Sequence, residues 1–149
     1  MLKDNAGILL VEDDEVDVIT VRRVFAKEGL TECLHVAGCG RDALALLRGD
    51  PEALTVPQSI PMPESRPRLI LLDLNLPRMG GIEFLQELRA DPELHALPVV
   101  VYTSSDHDID KKRAFEHHVA GYFVKTPSFH DNTELIGALC RYWRFSRLP

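Results

Sequence analysis

Apolar residues in this chain cluster in five short runs that are separated by longer amphipathic segments. The runs lack the strict alternation of a strand with one solvated face. We therefore predict strands that are buried on both faces, as in parallel sheets. The predicted strands are Ile8 to Val11, Cys33 to Ala37, Leu69 to Leu72, Val99 to Tyr102 and Gly121 to Val124.

The segments between these strands repeat apolar residues every three or four positions, which is typical of amphipathic helices. Strands that alternate with helices form right-handed βαβ units. The sequence therefore predicts an α/β fold with a (βα)5 doubly wound parallel sheet, in one domain over residues 1–149. The predicted helices are Val16 to Glu28, Gly40 to Gly49, Gly81 to Ala90, Asp108 to His118 and Asp131 to Phe145.

One segment between the second helix and the third strand breaks this alternation. Residues 50–67, DPEALTVPQSIPMPESRP, contain five prolines and no helical period. We interpret this segment as an exposed insertion. Long loops of this kind are either passive surface or docking sites for a partner, and both interpretations stay open.

The overall composition narrows the class of protein. The apolar fraction of 45% and the charged fraction of 27% are ordinary for a globular domain, and the net charge of -6 argues against a nucleic-acid partner. Cys33, Cys39 and Cys140 follow no CxxC pattern, so we expect free thiols in a reducing cytoplasm. No apolar stretch approaches the ~20 residues that span a bilayer, so we expect no membrane partner.

Polar side chains that can carry chemistry follow four of the predicted strands. Glu12 and Asp13 follow the first strand, Asp73 the third, Thr103 the fourth and Lys125 the fifth. Ligands of open parallel sheets bind beyond the carboxyl ends of the strands, so we expect these residues to meet there. Crowded carboxylates repel one another, and a bound cation relieves that repulsion. Ligands that are all oxygen favour Mg²⁺.

An aspartate beside such a metal can act as a nucleophile and form an aspartyl phosphate, and Asp73 is the candidate. Lys125 and Thr103 would then hold the phosphoryl oxygens. Any one of these residues alone would be interpreted as a turn residue, a strand terminator or a surface charge. Asp14 and Asp17 keep that ordinary interpretation, as acids in the first turn of the first helix.

Four segments together resemble the signature of the receiver domains of two-component response regulators. They are ILLVEDD (residues 8–14), LLDLNLPRMGG (71–81), VVVYTSS (99–105) and GYFVK (121–125). The resemblance covers the chain from Ile8 to about Phe145. It implies a flavodoxin-like fold with strand order 2-1-3-4-5.

The resemblance also implies a role for each residue of the site. Asp73 would be the phosphoacceptor, and Lys125 would contact the phosphoryl group. Asp13 and Asp73 would bind Mg²⁺ directly, Glu12 would act through water, and Asn75 would offer its backbone carbonyl.

A switch is implied as well. Thr103 would move toward the phosphoryl group, Tyr122 would turn inward, and the face of the fourth helix, fifth strand and fifth helix would repack. One departure concerns the residue after Lys125. Many receivers have proline there, often with a cis peptide, whereas this chain has Thr126 followed by Pro127. The isomer of the Lys125–Thr126 bond is therefore open.

Finer features are similar to the stand-alone receivers that partner bacterial and cyanobacterial phytochromes. They are the LILLDLNLP and PVVVYTSS segments, the extended loop before the third strand and the long last helix. This similarity implies a phytochrome-type, light-responsive histidine kinase as phosphodonor. It also implies no output domain, a downstream partner that is a protein, and a homodimer on the face formed by the fourth helix, fifth strand and fifth helix.

Aromatic residues near the end of the last helix are compatible with such a dimer. Tyr142, Trp143 and Phe145 are close in sequence, and aromatics are enriched in interface cores. The alternative is that Trp143 belongs to the core of the domain. The arginines beside them at 141, 144 and 147 are interpreted as a solvated or ion-paired face.

Three other functions use related chemistry. A receiver-like module could bind partners without phosphorylation. A phosphatase of the haloacid dehalogenase type also uses an aspartate nucleophile, but it typically carries a second aspartate where this chain has Asn75. A flavin or dinucleotide binder would need a glycine-rich turn after the first strand, where this chain has acids.

Overall fold

The computed structural model describes residues 7–55 and 61–148. Two 3-10 turns, Thr31–Cys33 and Pro51–Ala53, accompany the strands and helices there. The strands are β1 Ile8–Val11, β2 Leu34–Ala37, β3 Leu69–Leu72, β4 Val99–Thr103 and β5 Gly121–Val124. The helices are α1 Glu15–Lys27, α2 Gly40–Arg48, α3 Gly81–Ala90, α4 Asp108–Glu116 and α5 Phe129–Phe145. All strand pairs are parallel and the order is β2-β1-β3-β4-β5, which confirms the predicted fold.

The helix ends differ from the prediction by a few residues, and side-chain caps explain two of the differences. Helix α1 starts at Glu15 because the Asp14 carboxylate accepts the backbone N–H groups of Val16 and Asp17, at 2.9 and 3.2 Å. Helix α5 starts two residues early, because the Ser128 hydroxyl accepts the N–H of Asp131. The capping role expected of Asp14 is therefore confirmed.

The sheet separates two apolar clusters. In β1, Ile8 and Leu10 pack against α1 and α5, whereas Leu9 and Val11 pack against α2 and α3. Every β1 residue is at most 2% exposed, so β1 is buried on both faces as predicted. For the edge strand β5 this prediction is wrong, because none of its four residues is buried and Phe123 is 37% exposed. Burying each side chain of this size stabilises the fold by roughly 1.5–3 kcal/mol.

The aromatic end of α5 divides between the core and the surface. Trp143 is 3% exposed and packs in the α1 and α5 cluster, whereas Tyr142 and Phe145 are 49% and 79% exposed. Trp143 shares one helix face with the buried residues Ile136 and Cys140, at spacings of four and three. The core role weighed for Trp143 is therefore the one observed.

Residues 56–60 of the proline-rich insertion lie outside the described residues. The part before them is exposed from Asp50 to Ala53, but Leu54 is buried. The buried Asp42 carboxylate of α2 accepts both the N–H and the hydroxyl of Thr55. Arg66 donates from Nε to the backbone carbonyl of Leu47. Both ends of the insertion are thus tied to α2.

Arg89, on α3, joins three segments of the chain. Its guanidinium donates to four backbone carbonyls, two in the turn between α3 and β4 and two just after α4. Burial lowers the pKa of Arg89, yet the group has its hydrogen-bonding partners. The carbonyls are those of His95, Leu97, His117 and His118.

Candidate functional site

The strand register brings the predicted site residues to one end of the sheet. Val11 pairs with Leu72, so Glu12 and Asp73 leave neighbouring strands side by side. Carboxylate oxygens of Glu12, Asp13 and Asp73 all lie within 4.8 Å of one another. Glu12 and Asp73 are buried and Asp13 is exposed, so the group is open to solvent on one side.

Lys125 supplies the positive charge of this group. Its ammonium lies 2.5 Å from Glu12 Oε1, 2.7 Å from Asp17 Oδ2 and 3.4 Å from Asp73 Oδ2. The ammonium also lies 5.4 Å from the centre of the Tyr102 ring. When all three carboxyl groups around the partly buried Lys125 are ionised, the group carries excess negative charge, which favours a further cation.

The pKa values of the buried pair reflect these contacts. Burial, then the hydrogen bond with the neighbouring Asp73, raises the pKa of Glu12 to about 8, against the lowering effect of Lys125. Burial alone would lower the pKa of Lys125, but hydrogen bonds to Asp17 and Glu12 outweigh it and raise that pKa. Glu12 therefore holds a proton more readily than a free glutamate does, and Lys125 stays charged.

The two oxygens of Asp73 have different partners. Oδ1 accepts a hydrogen bond from the buried Thr103 hydroxyl at 2.7 Å and one from the Asn75 backbone N–H at 3.2 Å. Oδ2 faces Lys125. The carboxylate is thus oriented by a hydroxyl, a peptide group and an ammonium, which are donors that also suit phosphoryl oxygens.

Thr103 and Tyr122 are linked through Ser105, which lies in the loop between β4 and α4. The backbone N–H of Ser105 donates to the Thr103 hydroxyl at 3.4 Å, and the Tyr122 hydroxyl donates to the Ser105 carbonyl at 2.8 Å. The Ser105 hydroxyl also donates to Asp110, in the first turn of α4. The network joins Asp73 to α4, and Ser105 is a member that sequence reasoning did not single out.

The glycine pair after Asp73 has a steric explanation. A Cβ added at Gly81 would lie 2.6 Å from Leu74 Cα and 2.7 Å from the Asp73 carbonyl oxygen. The start of α3 therefore packs directly on the loop that carries Asp73, and only glycine fits at that position. Gly80 is the N-cap residue of α3.

The side-chain amide of Asn132 holds the loop after Lys125 by two hydrogen bonds to Thr126. Asn132 Oδ1 accepts the N–H of Thr126 at 3.0 Å, and Asn132 Nδ2 donates to the Thr126 carbonyl at 2.9 Å. No cis peptide occurs among the described residues, so the Lys125–Thr126 bond, left open by the sequence, is trans. The sequence offered no signal for Asn132.

Asp17 is a further member of the site that sequence reasoning missed. It does lie in the first turn of α1, as expected, but its carboxylate also binds Lys125. The sequence offered no signal for this contact, because Asp17 and Lys125 are 108 residues apart.

The chain is similar to response regulators over nearly its whole length. The sequence profile of the response regulator receiver domain matches residues 8–137. A probable methanogenesis regulatory protein, FilR2 of Methanothrix harundinacea, is 35% identical over 139 residues, covering 91% of this chain and 82% of that protein. Response regulator Rcp1 of a Synechocystis strain is 35% identical over 136 residues, covering 91% of this chain and 87% of Rcp1.

Solved structures show the same relationship. The phosphorylated cyanobacterial phytochrome response regulator RcpA superimposes with a TM-score of 0.83 at 31% identity, covering 97% of this chain and 98% of RcpA. The Mn²⁺-bound form of Rcp1 gives a TM-score of 0.82 at 34% identity, covering 97% and 99% of the two chains. In the described ranges of this protein, no helix is both long and apolar enough to cross a membrane.

Proposed function

The chain belongs to the family of response regulator receiver domains, and from that membership we propose that it accepts a phosphoryl group on Asp73 from a partner histidine kinase. The observation that carries this proposal is the set of partners around the Asp73 carboxylate. One oxygen faces the Thr103 hydroxyl and the other faces Lys125, beside the carboxylates of Glu12 and Asp13. Receiver domains act in two-component signalling, so the family and the geometry agree.

The residues present fit a magnesium ion. Glu12, Asp13 and Asp73 offer only oxygen ligands, and the backbone carbonyl of Asn75 would complete the set. A bound Mg²⁺ would neutralise the charge on the phosphoryl oxygens during transfer.

The chain's own residues then have distinct tasks. A carboxylate oxygen of Asp73 attacks the phosphorus of the kinase phosphohistidine. The new O–P bond forms as the P–N bond breaks, and its electron pair stays with the imidazole. Lys125 and Thr103 hold the equatorial oxygens, because both lie beside the Asp73 oxygens. Self-catalysed phosphotransfer and dephosphorylation are the only reactions proposed.

Signal output follows the hydrogen bonds from Asp73 to α4. A phosphoryl group would draw the Thr103 hydroxyl, which also accepts from the Ser105 N–H. Tyr122 of β5, whose hydroxyl donates to the Ser105 carbonyl, would lose this hydrogen bond and turn inward. We therefore propose the face of α4, β5 and α5 as the surface that responds to phosphorylation.

Exposed apolar residues beside the site suit a docking kinase. Val16 and Ile19 on α1 are 72% and 48% exposed, and Phe129 at the start of α5 is 58% exposed. All three belong to elements that flank the acidic group. A phytochrome-type kinase is the proposed donor, supported by the similarity to Rcp1 and RcpA.

A homodimer on the α4, β5 and α5 face is also proposed. Phe115 of α4, Phe123 of β5 and Tyr142 of α5 are 52%, 37% and 49% exposed, which supplies aromatic surface on each of the three elements. Replacing Tyr142 with Asp should shift the sedimentation coefficient toward the monomer. An unchanged value for this variant would contradict the proposed interface.

Phosphorylation is tested by intact mass after incubation with acetyl phosphate and Mg²⁺. Wild type should gain one phosphoryl mass, and the gain should vanish for Asp73→Asn or after chelation of the metal. Asp106→Asn, which removes an exposed acid before α4, is the matched control and should still react. A wild type that gains no mass from acetyl phosphate or phosphoramidate would favour a receiver-like module that binds partners without phosphorylation.

A further inference from the structure

Asp17 differs from the other two carboxylates that bind Lys125. Glu12 and Asp73 belong to the oxygen group that fits a metal, whereas Asp17 lies outside that group. Asp17 contacts Lys125 at 2.7 Å, closer than Asp73 does at 3.4 Å. Lys125 thus contacts two carboxylates that could also bind a metal, Glu12 and Asp73, and one that could not, Asp17.

An ammonium has three N–H donors, and here they point at three acceptors. A metal ion bound to Glu12 and Asp73 would weaken the contacts of these two residues with Lys125. The contact with Asp17 would remain, because Asp17 lies on α1 and outside the metal group. Asp17 can therefore keep the ammonium beside Asp73 while one donor turns to a phosphoryl oxygen.

We propose that Asp17 is a positioning residue that holds the Lys125 ammonium at the phosphoryl site. This inference rests on the function proposed above. Asp17 touches neither the phosphoryl group nor the metal, and it acts through Lys125. Without the Asp17 carboxylate, the Lys125 ammonium would contact only Glu12 and Asp73 and would compete with the metal ion for these two carboxylates.

Two effects of removing the carboxylate follow. Asp17→Asn should lower the rate of phosphorylation by acetyl phosphate about tenfold at saturating Mg²⁺, because a reacting group is no longer held in place. It should also raise the Mg²⁺ concentration needed for half-maximal rate, because Lys125 binds the metal carboxylates more firmly. Asp17→Glu, which keeps the charge, should recover part of the rate.

The matched control is Glu15→Gln. Glu15 is an exposed acid in the same first turn of α1, so this variant removes the same charge from the same helix end. Glu15→Gln should keep the wild-type rate and Mg²⁺ dependence. Thermal unfolding of each variant identifies any loss of folded protein. If Asp17→Asn is unfolded, the rate and Mg²⁺ dependence of Asp17→Glu are compared with wild type instead.

A double-mutant cycle with Lys125→Met separates positioning from a general structural effect. If Asp17 acts through Lys125, Asp17→Asn should cost about tenfold in the wild-type background and little in the Lys125→Met background. Equal costs in both backgrounds would overturn the inference, as would an Asp17→Asn rate that equals or exceeds that of Glu15→Gln. A wild type that takes no phosphoryl group would instead refute the proposed function, so the two failures are distinguishable.

Discussion

Replacing Lys125 with Met removes the one ammonium that the structure places among Glu12, Asp17 and Asp73. The Lys125 side chain is only 11% exposed, so water cannot fully replace it. Methionine has a similar length but no charge, so the variant also lacks the cation that lies 5.4 Å from the centre of the Tyr102 ring. The perturbation therefore acts mainly on charge.

The magnitude follows from the burial of these charges. Removing one partner of a buried ion pair costs about 3–5 kcal/mol, because the remaining charge is uncompensated. The full cost applies only where Glu12 is ionised. The pKa of Glu12 is raised to about 8 with Lys125 present, and the loss of Lys125 raises it further.

The sign of the pH dependence follows from linkage. When folding raises the pKa of a carboxyl group, the free energy of unfolding falls as pH rises from the unfolded-state pKa to the folded-state pKa. In the variant, Glu12 stays protonated to a higher pH than in wild type. The difference in free energy of unfolding between the two proteins therefore grows from pH 6 to pH 9. The pKa of Lys125 is raised in the folded protein, so its own titration lies above this range. We expect a deficit of about 3–5 kcal/mol near pH 9, and about 1–2 kcal/mol less near pH 6.

Urea unfolding of the metal-free protein, followed by circular dichroism at both pH values, measures this deficit. Lys112→Met, at an exposed site on α4, is the control and should change stability by less than about 0.5 kcal/mol. Saturating Mg²⁺ should reduce the Lys125→Met deficit, because the cation replaces part of the lost positive charge. A deficit that is equal at both pH values and insensitive to Mg²⁺ would refute the electrostatic reasoning.

Three further predictions concern the scaffold and the metal site. Arg89→Met should destabilise the domain by about 2–4 kcal/mol in urea unfolding, because four backbone carbonyls lose a charged donor. The control is Arg22→Met, at an exposed position of α1. An equally small loss of stability in both variants would contradict this prediction. Gly81→Ala should lower stability by about 1–3 kcal/mol and slow the reaction of Asp73, because its Cβ meets the preceding loop; Gly38→Ala, with no atom within 4 Å, should be tolerated. Mg²⁺ affinity, measured by calorimetry, should rise between pH 6 and pH 8 by up to about tenfold per unit, because the metal displaces a proton from Glu12. A Glu12→Gln variant that kept this slope would show that another group titrates.

Much of the fold was predictable because its signals are local. A run such as LILL in β3 is apolar at every position, and a strand of that kind needs cover on both faces. The positions of Glu12, Asp73, Thr103 and Lys125 could then be predicted as one group, because parallel strands share a carboxyl edge.

Contacts between distant segments were not predictable. Asp17 and Lys125 are 108 residues apart, and nothing in the first turn of α1 indicates that its acid reaches β5. Arg89 presents as an ordinary arginine at the end of an amphipathic helix, and its four carbonyl partners exist only after two turns fold beside it. The same holds for the burial of Trp143 rather than Tyr142, which depends on how α5 is rotated against the sheet.

The sequence by itself determined the periodicity of the elements, the residue types at the strand ends and the turn chemistry around Asp73. These are properties of neighbouring residues and of the geometry that all parallel sheets share. Only the tertiary structure decided which carboxylates surround Lys125, how Asp73 is oriented by Thr103, and which backbone groups Arg89 binds. Such contacts depend on distances of a few ångströms between segments that the chain brings together only when it folds.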